Sequence, residues 1–191
     1  MLIFTVTTLC MQLDDKELIH QFKQPETKEK AFTVIIKKYQ EKLYWHVRRM
    51  VVDHDDANDV LQNVFIKVWK GLENFREDSQ LYTWLYRIAT NESLTFLDQQ
   101  KRKSSVSFDE VEAGLSNKIK ADEGFDAQKL EWKLQLAIQQ LPEKQRAVFT
   151  LRYYDEMPYE EMSRVLETSE GALKASYHHA VKKIEEFIKN H

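Results

Sequence analysis

The chain has 191 residues, a hydrophobic share of 42% and a formal net charge of -3. Because the net charge is slightly negative, no general basic field can hold nucleic acid, and any DNA contact has to come from local patches. Only four glycines and three prolines occur, with no glycine-rich phosphate loop and no alternating strand runs. This pattern predicts an all-α protein of one or two small domains.

The single cysteine, Cys10, excludes an intrachain disulfide and a cysteine-based metal cage, which favours a reducing, cytoplasmic location. The opening stretch MLIFTVTTLC is apolar, but it lacks the cationic start of a signal peptide and is too short to span a bilayer. We therefore expect neither export nor membrane insertion. Residues 1–13 are predicted to lie outside the fold, as a disordered extension or the product of an upstream start.

A first domain is predicted over residues 14–103, where amphipathic helix patterns are dense. Apolar residues recur at steps of three and four from Phe32 to Met50, which indicates one long helix with a buried face. The acidic run DHDD is expected to end this helix. Asp56, followed by Asp59, is predicted to cap the next one, since carboxylates are favoured at the positive end of the helix dipole.

The third long helix of this domain is predicted to be capped by Ser79. Its buried stripe is expected to comprise Leu81, Leu85, Ile88, Ala89 and Phe96. The same helix also carries several residues that the stripe does not need in full: Tyr82, Trp84, Tyr86, Arg87 and Asn91. Aromatic rings stack on exposed bases for about 1–3 kcal/mol per base, and polar groups read base edges. These side chains indicate binding of unstacked bases, unless rings such as Trp84 and Tyr86 only fill a helical core.

Residues 104–125 are polar and acidic with few large apolar side chains, and they are predicted to form a flexible linker. Fully extended, such a segment would reach roughly 70 to 80 Å, so two domains could land separately on DNA. Helical patterns resume in a second domain over residues 126–191. Pro142 marks the start of one of its helices, because the fixed φ of proline suits a first helical turn.

The second domain ends in the pattern of a helix-turn-helix. Pro158 precedes a short predicted helix that runs to Leu166. Glu167 stands in the following turn, where many such motifs have glycine. Ser169 is predicted to cap the last helix with its hydroxyl.

This last helix is predicted to have two different faces. Its apolar stripe is expected to face the core and comprises Leu173, Tyr177, Ala180, Val181, Ile184, Phe187 and Ile188. The other face carries Gly171, Lys174, Ala175, His178, His179 and Lys182. Small residues near the helix start would let the backbone approach base edges, and the cations would meet phosphates. The alternative interpretation is an ordinary solvated face of a helical bundle.

Two blocks of the chain, in this order, resemble one family. The first is DANDVLQNVFIKVWKGLENFREDSQLYTWLYRIATNESLTFL, and the second comprises LPEKQRAVF, MPYEEMSRVL and SEGALKASYHHAVKKI. Both are similar to bacterial RNA polymerase sigma factors of the sigma-70 family, in the extracytoplasmic-function (ECF) group. The resemblance covers nearly the whole chain, and the two blocks at this separation are specific. It implies an alternative sigma factor that binds core RNA polymerase and directs promoter-specific initiation.

The resemblance implies three binding surfaces. Residues that grip a coiled coil of core polymerase would be Asp59, Leu61, Gln62, Phe65, Lys67 and Trp69. Residues that melt the -10 element and capture a flipped base would be Phe75, Arg76, Asp78, Ser79, Tyr82, Trp84, Tyr86, Arg87 and Asn91. Residues that read the -35 element as duplex would be Lys174, Ala175, Ser176, His178, His179 and Lys182. The linker would enter the RNA exit path of the polymerase, and an anti-sigma factor would be a further partner.

This chain departs from the family pattern at two positions of the -35 surface. Ser176 and His179 stand where many relatives have arginine, the usual bidentate reader of guanine. Neutral histidine cannot present that fork, so we expect weaker guanine readout there. Because the net charge is -3, we also expect the free chain to bind promoters poorly and recognition to depend on the polymerase.

Catalysis and metal binding find little support in the sequence. His178 and His179 are adjacent and diverge by about 100° around a helix, so they cannot chelate one metal as an i, i+4 pair would. Acidic clusters fall at helix starts, where the dipole favours carboxylates. We therefore expect no enzymatic activity, no cofactor and no metal ion.

Two other classes of protein stay open at this point. One is a helix-turn-helix regulator that binds DNA without acting as a polymerase subunit, with a front domain that senses a ligand or docks a partner. The other is a helical adaptor that binds proteins through apolar grooves. Copurification with core polymerase, followed by transcription from a promoter that the core cannot use alone, would separate the three.

Overall fold

The computed structural model describes residues 14–103 and 127–190, and no strand occurs within these two ranges. The all-α prediction is therefore confirmed. The predicted extension at residues 1–13, with Cys10, and the predicted linker at residues 104–125 lie outside the described residues.

Each described range contributes four α-helices. The N-terminal region, residues 14–103, contains α1 (Asp15–Phe22), α2 (Lys28–Val51), α3 (His54–Gly71), a short 3-10 helix (Leu72–Asn74) and α4 (Leu81–Lys103). The C-terminal region, residues 127–190, contains α5 (Ala127–Gln139), α6 (Glu143–Tyr153), α7 (Tyr159–Leu166) and α8 (Glu170–Asn190). The two predicted helical regions are thus both present.

Helix α2 is the centre of the N-terminal region and packs against α1, α3 and α4. Its apolar residues Ile35, Leu43 and Val47 are fully buried, as their spacing along one helix face predicts. Next to them, the Trp69 ring meets Phe22 edge-on at 5.2 Å and Phe32 at 4.9 Å between ring centroids. Because these rings come from three different helices, they fix the position of α3 against α1 and α2.

The predicted cap of α3 is wrong by three residues. Asp53, and not Asp56, is the N-cap: its Oδ1 accepts hydrogen bonds from the backbone N–H groups of Asp55 at 3.0 Å and Asp56 at 3.2 Å. Val52 ends α2 with a φ of 71°, so the chain turns early and leaves Asp53 extended. The backbone turn therefore selects the first aspartate of an acidic run in which several could cap.

The predicted cap of α4 is also wrong. The helix begins at Leu81, and the first intrahelical bond runs from the N–H of Trp84 to the carbonyl of Gln80 at 3.1 Å. The Ser79 hydroxyl instead donates to the Gln80 carbonyl at 3.4 Å, outside the helix. Ser79 therefore lies one residue too early to satisfy the free N–H groups of the first turn.

The helix-turn-helix at α7 and α8 is confirmed. Pro158 precedes α7 with a ψ of 147°, and Glu167 ends it in the left-handed conformation, at φ 50° and ψ 41°. The Ser169 hydroxyl accepts a hydrogen bond from the N–H of Ala172 at 3.4 Å, so Ser169 caps α8 as predicted. A glutamate thus occupies the turn conformation that glycine adopts at least cost.

Replacing Glu167 by glycine should raise the free energy of unfolding by about 0.5–1 kcal/mol. A left-handed conformation costs an L-residue about 1–2 kcal/mol, part of which is offset by the greater chain entropy of glycine in the unfolded state. Urea denaturation followed by circular dichroism measures the change. Glu170→Gly, a first-turn helix position, is the matched control and should lower stability; a loss of stability in Glu167→Gly would contradict the prediction.

The two helical regions lie directly against each other in this structure. Helix α7 packs on α4, and α6 packs on both α2 and α4. The buried side chains of Leu151, Met157 and Met162 belong to the same apolar cluster as those of the N-terminal region. A separate, smaller cluster joins α5, α6 and α8 around Ile138 and Phe149. The contact between regions is therefore a continuous apolar core that also encloses buried polar groups, among them His46, Asp155 and Arg146.

Arg146 ties the ends of several helices together at this contact. Its guanidinium donates to the carbonyls of Met50 at 2.9 Å, Gln139 at 2.7 Å and Leu141 at 3.5 Å. Burial lowers the pKa of Arg146 to about 10, against the opposing effect of nearby Glu143, so the group stays charged at neutral pH. The cation meets the negative ends of α2 and α5, where it is electrostatically favoured.

Candidate polymerase and DNA interfaces

The outer face of α3 forms an apolar groove with α2. The groove is lined by Phe32, Gln62, Phe65, Ile66 and Trp69. The Ile66 side chain is 45% exposed, which is unusual for a large aliphatic residue on a charged surface. Phe65 and Trp69 are only half-buried, so their outer ring edges also face the groove. Such a groove, apolar and open, is suited to one face of a partner helix.

The predicted polymerase-binding residues fall on this same helix. Three of the six line the groove itself: Gln62, Phe65 and Trp69. Asp59 and Lys67 are exposed, Leu61 is half-buried, and the Lys67 ammonium is paired with the carboxylate of Glu92. The sequence did not assign Ile66 to this surface, although Ile66 follows the helical spacing of Gln62, Phe65 and Trp69, and it gave no signal that Phe32 of α2 lines the same groove.

The loop before α4 presents three charged side chains to solvent, those of Arg76, Glu77 and Asp78. Arg76 and Asp78 are exposed, whereas Phe75 is buried against the Trp84 ring at 5.0 Å between centroids. The Lys23 ammonium donates to the Phe75 carbonyl at 3.1 Å and holds the start of the loop on α1. Glu77 has a φ of 61°, so the loop turns sharply between Arg76 and Asp78. Phe75 and Trp84 therefore support the loop, and Arg76 and Asp78 lie at its outer edge.

The aromatic residues of α4 divide between the core and the contact with the C-terminal region. Tyr86 is 2% exposed, lies 5.0 Å from the His46 ring and donates its hydroxyl to Asp155 Oδ1 at 3.4 Å. Tyr82 is half-buried, with its ring 4.6 Å from that of Tyr86. Burial, followed by the nearby Asp155 carboxylate, raises the pKa of Tyr86, and burial with Asp155 and Glu161 raises that of Tyr82 to about 12. Both phenols stay protonated at neutral pH and can act as donors.

The predicted -10 residues are therefore only partly accessible in this structure. Asn91 is exposed at the middle of the same helix, and Ser79 and Arg87 are half-buried. The sequence did not single out Thr83, which lies on the same helix face as Tyr86. It also gave no signal for the carboxylates of Asp155 and Glu161 that meet this face, because their pairing depends on how the two regions pack.

Helix α8 presents the predicted -35 residues on its outer side. Lys174, Ala175, His178, His179 and Lys182 are exposed and Ser176 is half-buried. The Lys174 ammonium lies 3.2 Å from the Glu170 carboxylate and 5.4 Å from the Tyr159 ring centroid. The opposite side buries Leu173, Ala180 and Ile184, in agreement with the predicted stripe. The helix therefore has an open face of small and cationic residues at its N-terminal half, which a DNA groove can accept.

Among residues 14–103 and 127–190, no three His, Cys, Asp or Glu side chains are grouped as a metal site would require. Across the same two ranges, none of the helices combines the length and apolar character needed to cross a bilayer.

The described residues are helical, and α7 and α8 form a helix-turn-helix whose second helix has an exposed face, an arrangement typical of DNA-binding transcription proteins. Family models narrow this class: Sigma-70 region 2 matches residues 35–103, and Sigma-70 region 4 matches residues 131–184. The chain is 34% identical to the ECF RNA polymerase sigma-E factor of Escherichia coli K12 over 172 residues, which cover 86% of this chain and 88% of the relative. It is 31% identical to the RNA polymerase sigma-H factor of Pseudomonas aeruginosa over 172 residues, which also cover 86% of this chain and 88% of that relative.

The chain belongs to the sigma-70 family, in its ECF group, and is an alternative sigma factor that directs transcription. Solved structures share its fold at lower identity. CnrH in complex with the cytosolic domain of CnrY gives a TM-score of 0.67 at 19% identity and covers 92% of this chain and 97% of that chain. RpoE of Bartonella quintana, in complex with the anti-sigma factor NepR, gives a TM-score of 0.62 at 19% identity and covers 84% of this chain and 98% of that chain.

Proposed function

We propose that the chain binds core RNA polymerase through the α3 groove, holds a melted -10 strand with the loop before α4 and α4 itself, and reads the -35 duplex with α8. The observation that carries this proposal is the similarity to sigma-E, which spans both helical regions in one alignment of 172 residues. Each region also presents an exposed surface with the chemistry its role requires. The surfaces lie on different helices, so they can act at the same time.

The α3 groove is suited to a helical segment of the polymerase. Its exposed Ile66 would be buried by a partner, and the half-buried edges of Phe65 and Trp69 would contribute further apolar area. Burying apolar surface stabilises association by about 25 cal/mol per Å² before the costs of binding. Exposed Asp59 and Lys67 would form the polar rim that sets the orientation of the partner.

The loop before α4 and the aromatic residues behind it are suited to a single strand. Arg76 can neutralise a phosphate, and Asp78 can accept hydrogen bonds from base amino groups. Tyr82 and Tyr86 supply rings for stacking, at about 1–3 kcal/mol per base, once they are reachable. A strand held there would already be unpaired, which is the state that a melted -10 element provides.

Helix α8 is suited to the major groove of duplex DNA. Ala175 and Gly171 leave room for a close backbone approach, and Lys174 and Lys182 can contact phosphates on either side. His178 and His179 can each donate or accept one hydrogen bond at a base edge.

We infer two further features of the biology from this assignment. An anti-sigma factor is a partner of this chain, by analogy with the RpoE relative solved with NepR. The protein works in the cytoplasm, where core polymerase and chromosomal DNA are found, and it contributes binding and no chemistry of its own.

Run-off transcription tests the proposed function directly. Purified core polymerase is mixed with the chain and a library of promoter fragments, and the start sites are sequenced. We expect defined start sites that share -35 and -10 elements and that are absent with core alone. Failure of the chain to associate with core, or association without start-site choice, would overturn the proposal; promoter binding without core would instead indicate a plain DNA-binding regulator.

Lys174→Ala and His179→Ala should affect -35 recognition in different ways. Loss of a phosphate contact at Lys174 should weaken binding by about threefold to tenfold on every -35 sequence. It should also lower the number of counterions released on binding, measured from the slope of log affinity against log salt concentration, by about one. Loss of a base contact at His179 should change the preference at one base position by about 1 kcal/mol. Binding of the holoenzyme to promoters mutated at each -35 position measures both effects.

Lys189→Ala, an exposed lysine in the last turn of α8 outside the assigned -35 surface, is the control for general charge loss and should change neither property. If His179→Ala leaves the preference for every base unchanged, direct readout by His179 is wrong.

A further inference from the structure

An acidic side chain stands at the leading end of the helix assigned to the -35 element. Glu170 is the first residue of α8, and its side chain is 47% exposed. Its Oε2 lies 3.2 Å from the ammonium of Lys174, one turn further along the helix. Because Lys174 belongs to the assigned -35 surface, Glu170 lies at the edge of that surface.

The Lys174 ammonium holds this carboxylate in place. It lies 5.4 Å from the centroid of the Tyr159 ring, at the start of α7, and so sits between that ring and Glu170. A carboxylate has about four acceptor positions, and one bond to a lysine leaves the others available to a ligand. Glu170 can therefore accept further hydrogen bonds while its pair with Lys174 is kept.

The chemistry of duplex DNA limits what a carboxylate can bind there. Phosphates repel it, so its partners have to be base edges, which the N-terminal residues of a recognition helix reach. In the major groove the base donors are the amino groups on cytosine N4 and adenine N6. Guanine presents the acceptors N7 and O6, and thymine presents the acceptor O4. A carboxylate in this position is therefore matched by cytosine or adenine and mismatched by guanine or thymine.

No other side chain along this part of α8 makes the same selection. Between residues 170 and 182, all of which the structure describes, Glu170 is the only carboxylate. The lysines of this stretch only donate, and each histidine can donate as well as accept. A demand for a donor at one base position can therefore be traced to Glu170.

We propose that Glu170 determines specificity at one position of the -35 element, where it accepts a hydrogen bond from a cytosine or adenine amino group and excludes guanine and thymine. The inference rests on the proposed function of α8 and deepens it. Guanine and thymine are excluded because they leave the carboxylate without a donor and place base acceptors against it. Lys174 offsets part of the negative charge, so the carboxylate is tolerated beside the DNA backbone.

Selection of -35 sequences by the holoenzyme tests this proposal. Core polymerase and the full chain are mixed with duplex promoters randomised across the -35 element, and the bound DNA is sequenced. With the unaltered chain, we expect one position at which cytosine or adenine is preferred over guanine and thymine by at least about fivefold. With Glu170→Ala, this preference should fall below about twofold at that position, and the preferences at the other positions should be kept.

Glu186→Ala is the matched control for loss of an acidic side chain. Glu186 is an exposed residue of the same helix, and it lies 16 positions from Glu170, or about 24 Å along the axis. This variant makes the same change in net charge and should alter no base preference. Glu170→Gln is a second test with little change in shape. Its amide can donate as well as accept, so guanine and thymine should become tolerated at the same position.

Two results would overturn the proposal. One is a set of base preferences that Glu170→Ala and Glu170→Gln both leave unchanged, since the carboxylate would then serve only the positive end of the helix dipole. The other is a rise in affinity that is uniform over all sequences and equal to that of Glu186→Ala. Circular dichroism verifies that the variants are folded. Failure of the unaltered chain to select any -35 sequence would instead overturn the proposed function of α8.

Discussion

Replacing Arg146 by alanine should lower the free energy of unfolding by about 2–4 kcal/mol. The guanidinium donates to three carbonyls, those of Met50, Gln139 and Leu141, and it is almost fully buried. Without it, these acceptors lose their charged donor in a site that water reaches poorly, and each unsatisfied buried group costs about 1–3 kcal/mol. Partial rearrangement of the helix ends recovers some of this loss. Urea denaturation followed by circular dichroism measures the change.

Arg164→Ala is the matched control for this prediction. Arg164 also makes ion pairs, with Glu160 and Glu161, but on the exposed surface of α7, where such pairs contribute about 0–1 kcal/mol. Arg146→Lys should give an intermediate loss, since one ammonium cannot span the Met50 and Gln139 carbonyls as the planar guanidinium does. Equal stability of Arg146→Ala and Arg164→Ala would show that the buried bonds contribute nothing net.

Replacing Ile66 by aspartate should weaken the affinity for core polymerase by at least about tenfold. The side chain is 45% exposed in the free chain, so the change should leave the fold intact. In the complex it would place a charge in the apolar groove beside Phe65 and Trp69, and burying an unpaired charge costs well over 1.4 kcal/mol, the equivalent of tenfold in affinity. Titration of labelled chain with core polymerase measures the dissociation constant.

Two variants control for general effects of the aspartate. Trp45→Asp changes another large apolar residue of nearly equal exposure, 48%, that lies on α2 and does not line the groove. It should leave core affinity within about twofold of the unaltered chain, because a surface change outside an interface has little effect on binding. Ile66→Val keeps most of the apolar area and should do the same. Unchanged affinity in Ile66→Asp would remove the groove from the polymerase interface.

Much of the helical framework could be predicted because it depends on local spacing. The α7 helix begins and ends where Pro158 and Leu166 indicated, and the buried stripe of α8 follows its three- and four-residue repeat. Ser169 caps α8 as expected. In each case the decisive interactions join residues within one or two helical turns, so neighbouring positions in the sequence are enough to predict them.

The helix caps of the N-terminal region show the limit of such local inference. The run DHDDAND offers four aspartates, and each could cap α3 on side-chain chemistry alone. The choice falls on Asp53 because Val52 adopts a positive φ at the end of α2. That backbone turn is set by how α2 and α3 pack, which spacing along the chain does not specify.

The helical class, the exposed face of α8 and the family to which the protein belongs could all be inferred from the sequence alone. These follow from residue spacing and from two ordered motifs. By contrast, the burial of Tyr86 against Asp155 and the bond from Arg146 to the carbonyl of Met50 depend on how the helices pack. These contacts join residues 69 and 96 positions apart. Which residues meet in these contacts depends on how the two helical regions pack against each other, and this packing cannot be read from the periodic spacing of apolar residues.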